Sequence, residues 1–73
     1  MATKTLKVGS KVLVKTVSLS FSDYRNLDGV VVGLHDGFAE VAVPKNKLSA
    51  EDLRDLRKDG ERALIKVKVT NLA

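Results

Sequence analysis

The chain has 73 residues, with 13 Lys and Arg against 9 Asp and Glu, a formal charge of +4 and no cysteine. That length allows one domain with a small core, and the lack of Cys excludes a disulfide framework and a thiolate zinc or redox site. With 44% hydrophobic and 30% charged residues the composition is that of a globular chain rather than a disordered one.

No apolar run reaches the roughly 18 residues of a bilayer span. The first residues, interrupted by Lys4 and Lys7, do not read as a secretory signal. The expectation is a single domain over residues 1–73, cytoplasmic and monomeric, with no membrane association. No repeat, linker or low-complexity segment divides it.

The first strand signal is alternation. Leu6, Val8, Val12 and Val14 share one parity while Lys7, Lys11 and Lys15 take the other, with Gly9-Ser10 placed for a turn or kink. The phase then slips, because Val17, Leu19 and Phe21 are apolar at odd positions with Ser18, Ser20 and Ser22 between them. A one-residue slip sends every side chain to the opposite face, so a bulge, a bend or a new strand is expected near Lys15–Thr16. Asp23 to Asn26 reads as a loop leading to Asp28-Gly29, where Gly29 suits a positive φ. Val30 to Leu34 reads as a central strand buried on both sides. His35-Asp36-Gly37 marks a hairpin, and Phe38 to Val43 returns with Ala39, Val41 and Val43 on one face until Pro44 ends the ladder.

One helix is marked. Ser49 is the N-cap, Asp52 three residues on makes an approximate capping box, and Leu48 can staple to Leu53. Glu51 and Asp52 in the first turn with Arg57 and Lys58 in the last suit the helix dipole. Ala50, Leu53 and Leu56 form a narrow apolar stripe, and Asp59-Gly60 stops the helix after about two to three turns. A last strand runs from Arg62 to about Thr70, with Ala63, Ile65, Val67 and Val69 inward. The expected fold class is mainly β: a small SH3-like barrel, or half-open barrel, of four to six strands with one short α-helix.

Leu6 to Val14 resembles the opening strand of SH3-like barrels, in which an apolar residue and a Gly-Ser or Gly-Asp pair precede Val-x-Val. Leu27 to Val32 and Phe38 to Val43 look like their central hairpin, and the KOW-type domains of transcription and translation factors use this barrel. The stretch between Val14 and Gly29 is longer than in the compact KOW motif. In size, basic charge and lack of catalytic chemistry, the chain also resembles small bacteriophage-encoded regulators that bind the host RNA polymerase. These resemblances imply a non-enzymatic transcription regulator whose partner is bacterial RNA polymerase, inhibiting initiation or promoting antitermination.

Enzymatic chemistry finds little support in the residues. His35 is the only imidazole and sits beside turn residues. A zinc site would need its other ligands from carboxylates alone, and the alternating serines read as a solvated strand face. Gly29, Gly33 and Gly37 do not precede a helix as phosphate-cradling glycines do. No catalytic, metal or cofactor-binding residue is assigned, and no cofactor is expected.

Charge and residue type give two candidate surfaces. Residues 1–15 hold four lysines and no acid. If the first and last strands pair, Lys7, Lys11, Lys15, Lys66 and Lys68 share an outer face able to contact nucleic acid or an acidic surface, the alternative being a solvated face whose edge lysines discourage aggregation. Leu19, Phe21, Tyr24, Arg25 and Leu27 gather aromatic and arginine anchors around one loop, a composition suited to a protein partner. A core role for Leu19 and Phe21 is the competing reading. Strand addition along an open edge is a further docking mode. A nucleic-acid-binding barrel, or an accessory subunit of a larger complex, stays open beside the regulator reading.

Overall fold

The computed structural model describes residues 6–73. Its elements are β1 (Lys11–Ser18), β2 (Asp23–His35), β3 (Phe38–Pro44), a 3-10 turn (Lys45–Lys47), α1 (Ala50–Arg54), β4 (Arg57–Asp59), β5 (Arg62–Lys68) and a second 3-10 turn (Val69–Asn71). All five strands lie in one antiparallel sheet of order β1-β2-β3-β5-β4. The fold is mainly β with one short helix, as expected, and the sheet stays open. Its β1 edge is partly covered by the C-terminus, through a bridge between Val14 and Leu72. Among the described residues no helix is long and apolar enough to cross a membrane.

Alternation decides which face is buried. Val12, Val14, Val31, Ala39, Val41, Val43, Ala63, Ile65 and Val67 turn inward, and Leu48 from the segment before α1 joins them. Each buried branched side chain contributes about 1.5–3 kcal/mol by leaving water, so this face dominates the stability of so small a domain. Lys15 and Thr16 are both exposed, which is how β1 absorbs its phase slip. Pairing with β2 lapses there and resumes at Thr16↔Arg25 in the same register, opposite Asn26 with φ of 56°. The β2–β3 hairpin turns on Asp36 and Gly37, with φ of 37° and 85°; two successive positive φ values are what a two-residue turn of this hand requires.

Several expectations are corrected. Asp23 to Asn26 is not a loop but the start of β2; the loop is Leu19–Ser22, closed by a 2.9 Å bond from the Leu19 N–H to the Ser22 carbonyl. Gly29 makes no turn. It lies buried inside β2, where a Cβ would strike the Val41 side chain and come within 2.8 Å of the Ala42 carbonyl oxygen. The role of Gly29 is close approach of strands, not backbone reversal. Val30 to Leu34 is not buried on both sides: a bulge between Val31 and Gly33 leaves Val32 41% exposed, and Leu34 is 38% exposed.

The helix is also shorter than expected. It ends at Arg54, and Arg57 and Lys58 belong instead to β4, paired with Leu64 and Ala63 of β5. Dipole-compatible charges occur equally well on an exposed edge strand, so they did not distinguish the two. The last strand stops at Lys68, where the chain turns at Val69 to bring Leu72 and Ala73 back to β1.

Candidate interaction site

The loop Leu19–Ser22 carries Phe21, which is 62% exposed, and what holds it there is polar. Asp52, the third residue of α1, is only 1% exposed. Its Oδ1 accepts from the Phe21 backbone N–H at 2.8 Å, and its Oδ2 accepts from the Tyr24 hydroxyl at 2.6 Å and from Ser49 Oγ at 3.1 Å. Tyr24 has one hydroxyl proton and gives it to Asp52, so its oxygen is left to accept from the Ser49 N–H at 2.9 Å. Ser49 Oγ in turn accepts from the Asp52 N–H at 3.3 Å, capping α1. The expected capping box is thus opened: Tyr24, not the Asp52 side chain, satisfies the Ser49 N–H.

Burial raises the Asp52 pKa, and the hydrogen bonds from Tyr24, the Phe21 N–H and Ser49 more than offset it, leaving the carboxyl below its ordinary value of 3.8. With both oxygens engaged, this buried carboxylate stays charged although no cation pairs with it among the described residues. No side-chain polar atom buried among the described residues lacks a partner. This is a rigid support, linking β2, α1 and a loop that local propensity alone would leave mobile.

The five residues expected to meet a partner therefore divide. Leu27, at 5% exposure, lies in the core and offers a partner nothing. Leu19 and Tyr24 pack partly against that core, with the Tyr24 hydroxyl committed to Asp52. Phe21 and Arg25 remain exposed. Ser49 and Asp52 were legible in the sequence as a helix cap but not as the support of a loop some 30 positions earlier; the missed signal is an acid on the helix side that also carries the leucines.

The lysines divide as well. β1 and β5 are separated by β2 and β3, so the strand pairing that would unite them is absent. Lys11 stands across β2 and β3 from Leu64 and Arg57, and near Arg62. Lys66 and Lys68 lie opposite Glu40 and Phe38, with Lys66 Nζ 4.9 Å from the Phe38 ring centroid. Lys7 precedes the Gly9 turn and Lys15 sits at the lapse in β1 pairing; both are exposed. His35 Nε2 lies 3.3 Å from Glu40 Oε1 at the surface. Among the described residues no three His, Cys, Asp or Glu side chains gather as a metal would require.

Comparison with known proteins finds no matching family model, no matching curated protein and no matching solved structure.

Proposed function

We propose that this protein is a non-enzymatic binding module that docks on the bacterial transcription machinery, with RNA polymerase as its partner and Phe21 and Arg25 as anchors. The observation that carries this reading is an exposed aromatic whose own backbone N–H is clamped by a buried carboxylate. An exposed Phe on a loose loop loses entropy on binding; one already fixed avoids most of that loss. Aromatic and arginine side chains supply most of the binding energy at protein interfaces, and both stand on the β1–β2 turn region here.

The choice of polymerase follows from the resemblance of the chain to KOW-type barrels and to small phage-encoded polymerase regulators. The simplest mechanism is steric: docking on a polymerase subunit blocks initiation, and the same contact retained during elongation favours antitermination. Tagged protein mixed with bacterial RNA polymerase retains it on a column and changes transcript yield from a promoter template. Phe21→Ala abolishes retention with the fold intact. No retention of polymerase by the wild-type protein, with unchanged transcripts, overturns the reading.

A further inference from the structure

β3 ends at Pro44, and that ending collects charge. Pro44 stands opposite Arg62 of β5 and has no N–H to extend a ladder, so the chain leaves the sheet as the Lys45–Lys47 turn. Two contacts hold this turn against the sheet: the Lys45 N–H donates to the Glu61 carbonyl at 3.1 Å, and Leu48, just beyond, is buried in the core. From the other side, Lys11 of β1 stands opposite Val30, which in turn faces Ala42, two residues before Pro44.

Three adjoining hollows, of about 270, 310 and 320 Å³, share Pro44. Lys11 and Arg62 flank the first, Arg25 and Lys47 the second, and Lys45 with Arg62 the third. Five cations therefore meet two carboxylates, Asp28 and Glu61, and all five except the half-buried Lys45 are exposed. Among the described residues no Lys or Arg forms an ion pair, so none of this charge is neutralised at contact distance. Of the five lysines expected to share a face, only Lys11 belongs here. The sign reverses at α1, which with its C-cap carries Glu51, Asp52 and Asp55 against Arg54.

The spread of the cations selects the anion. Lys11 on β1 and Arg62 on β5 are separated by β2 and β3, about 14 Å along the sheet. One phosphate ion cannot meet both, whereas successive phosphates of a polymer can. A protein surface gains less, because none of the exposed large apolar side chains, Val8, Phe21, Val32 and Leu34, lines these hollows as an anchor. A single strand lacks a stacking platform: the only aromatic lining them is Tyr24, whose hydroxyl is fixed on Asp52. A duplex backbone needs cations and no such platform.

We propose that the Pro44 corner binds the phosphate backbone of duplex DNA through Lys11, Arg25, Lys45, Lys47 and Arg62, without regard to base sequence. This goes beyond docking on a protein through Phe21 and Arg25. It adds a nucleic-acid contact that shares only Arg25 with that site.

The probe is a fluorescein-labelled DNA duplex of about two helical turns, titrated with the full chain and followed by fluorescence anisotropy. Binding is measurable at about 50 mM salt and falls steeply towards about 200 mM, with a slope of log affinity against log salt of about −4, as roughly five phosphate contacts require. A duplex of scrambled sequence binds within about two-fold. Lys47→Ala with Arg62→Ala, both at exposed positions, flattens the slope by about two and weakens binding by about ten-fold or more at low salt, with the circular dichroism spectrum unchanged. The charge-matched pair Lys66→Ala with Lys68→Ala, at the other end of β5, leaves the slope unchanged. Phe21→Ala leaves duplex affinity unchanged.

No binding at about 50 mM salt, equal weakening by the Lys66 and Lys68 pair, or tighter binding of an oligothymidylate of equal length or an oligoglutamate of equal charge, overturns the inference. Duplex binding by a chain that retains no polymerase removes the partner assigned above and keeps this site. Polymerase retention with no duplex binding does the reverse.

Discussion

Between β3 and β5 the ladder runs unbroken from Phe38↔Lys68 to Pro44↔Arg62, and its inward side chains are Ala39, Val41, Val43, Ala63, Ile65 and Val67. Beside the β1–β2 loop the arrangement inverts: one carboxylate, two hydroxyls and three backbone N–H groups hold the chain where few apolar side chains can. The first region is non-directional and tolerant in chemistry but intolerant of volume. The second is directional, so each donor fixes a position as well as contributing energy. A module that must present one aromatic in one place needs the second kind of support, and the domain needs the first kind to exist.

That contrast can be broken at several points. Ile65→Ala in the interior removes a fully buried side chain and costs about 2–5 kcal/mol, a large share of the total of about 4–11 kcal/mol for a domain this size; urea denaturation measures it, and the Phe21 loop should not change selectively. Gly29→Ala forces a Cβ into Val41 and the Ala42 carbonyl, costing about 1–3 kcal/mol through overpacking, visible as a lower urea midpoint at unchanged slope. Tyr24→Phe removes one bond to a charged acceptor and the acceptor for the Ser49 N–H; a loss of about 1–3 kcal/mol follows, with loop amides broadened while those of β3 and β5 stay sharp.

Acid sharpens the same comparison. Because the Asp52 pKa lies below its ordinary value, its contribution is complete above that value and is lost as pH falls through the lower, folded value. Stability measured from neutral pH downward therefore falls below about pH 4, and Asp52→Asn flattens that part of the curve. The smallest effect belongs to His35→Ala, whose exposed contact with Glu40 supports a change within about 0.5 kcal/mol.

Legibility in the sequence follows the range of the interaction. Asp36-Gly37 was readable because two neighbouring residues carry the whole requirement for positive φ, and Ser49 was readable because a cap acts within one turn. Asp28-Gly29 carries the same local signature as Asp36-Gly37 yet lies in mid-strand, since what selects Gly29 is Val41 and Ala42 on another strand. Leu27 looked like a surface anchor among polar neighbours, and only the fold shows its side of β2 turned to the core. The bonds from Phe21 and Tyr24 to Asp52 join residues too far apart for any spacing to reveal.

The claim that Asp52 fixes the loop is tested most directly by the exchange rate of a single amide proton. In the wild-type protein the Phe21 N–H, donated to Asp52 Oδ1 at 2.8 Å, exchanges far more slowly than in an unfolded chain; Asp52→Asn speeds it by about ten-fold or more while the Val41 amide keeps its rate. A Phe21 amide that already exchanges at the unfolded rate in the wild-type protein would contradict the account.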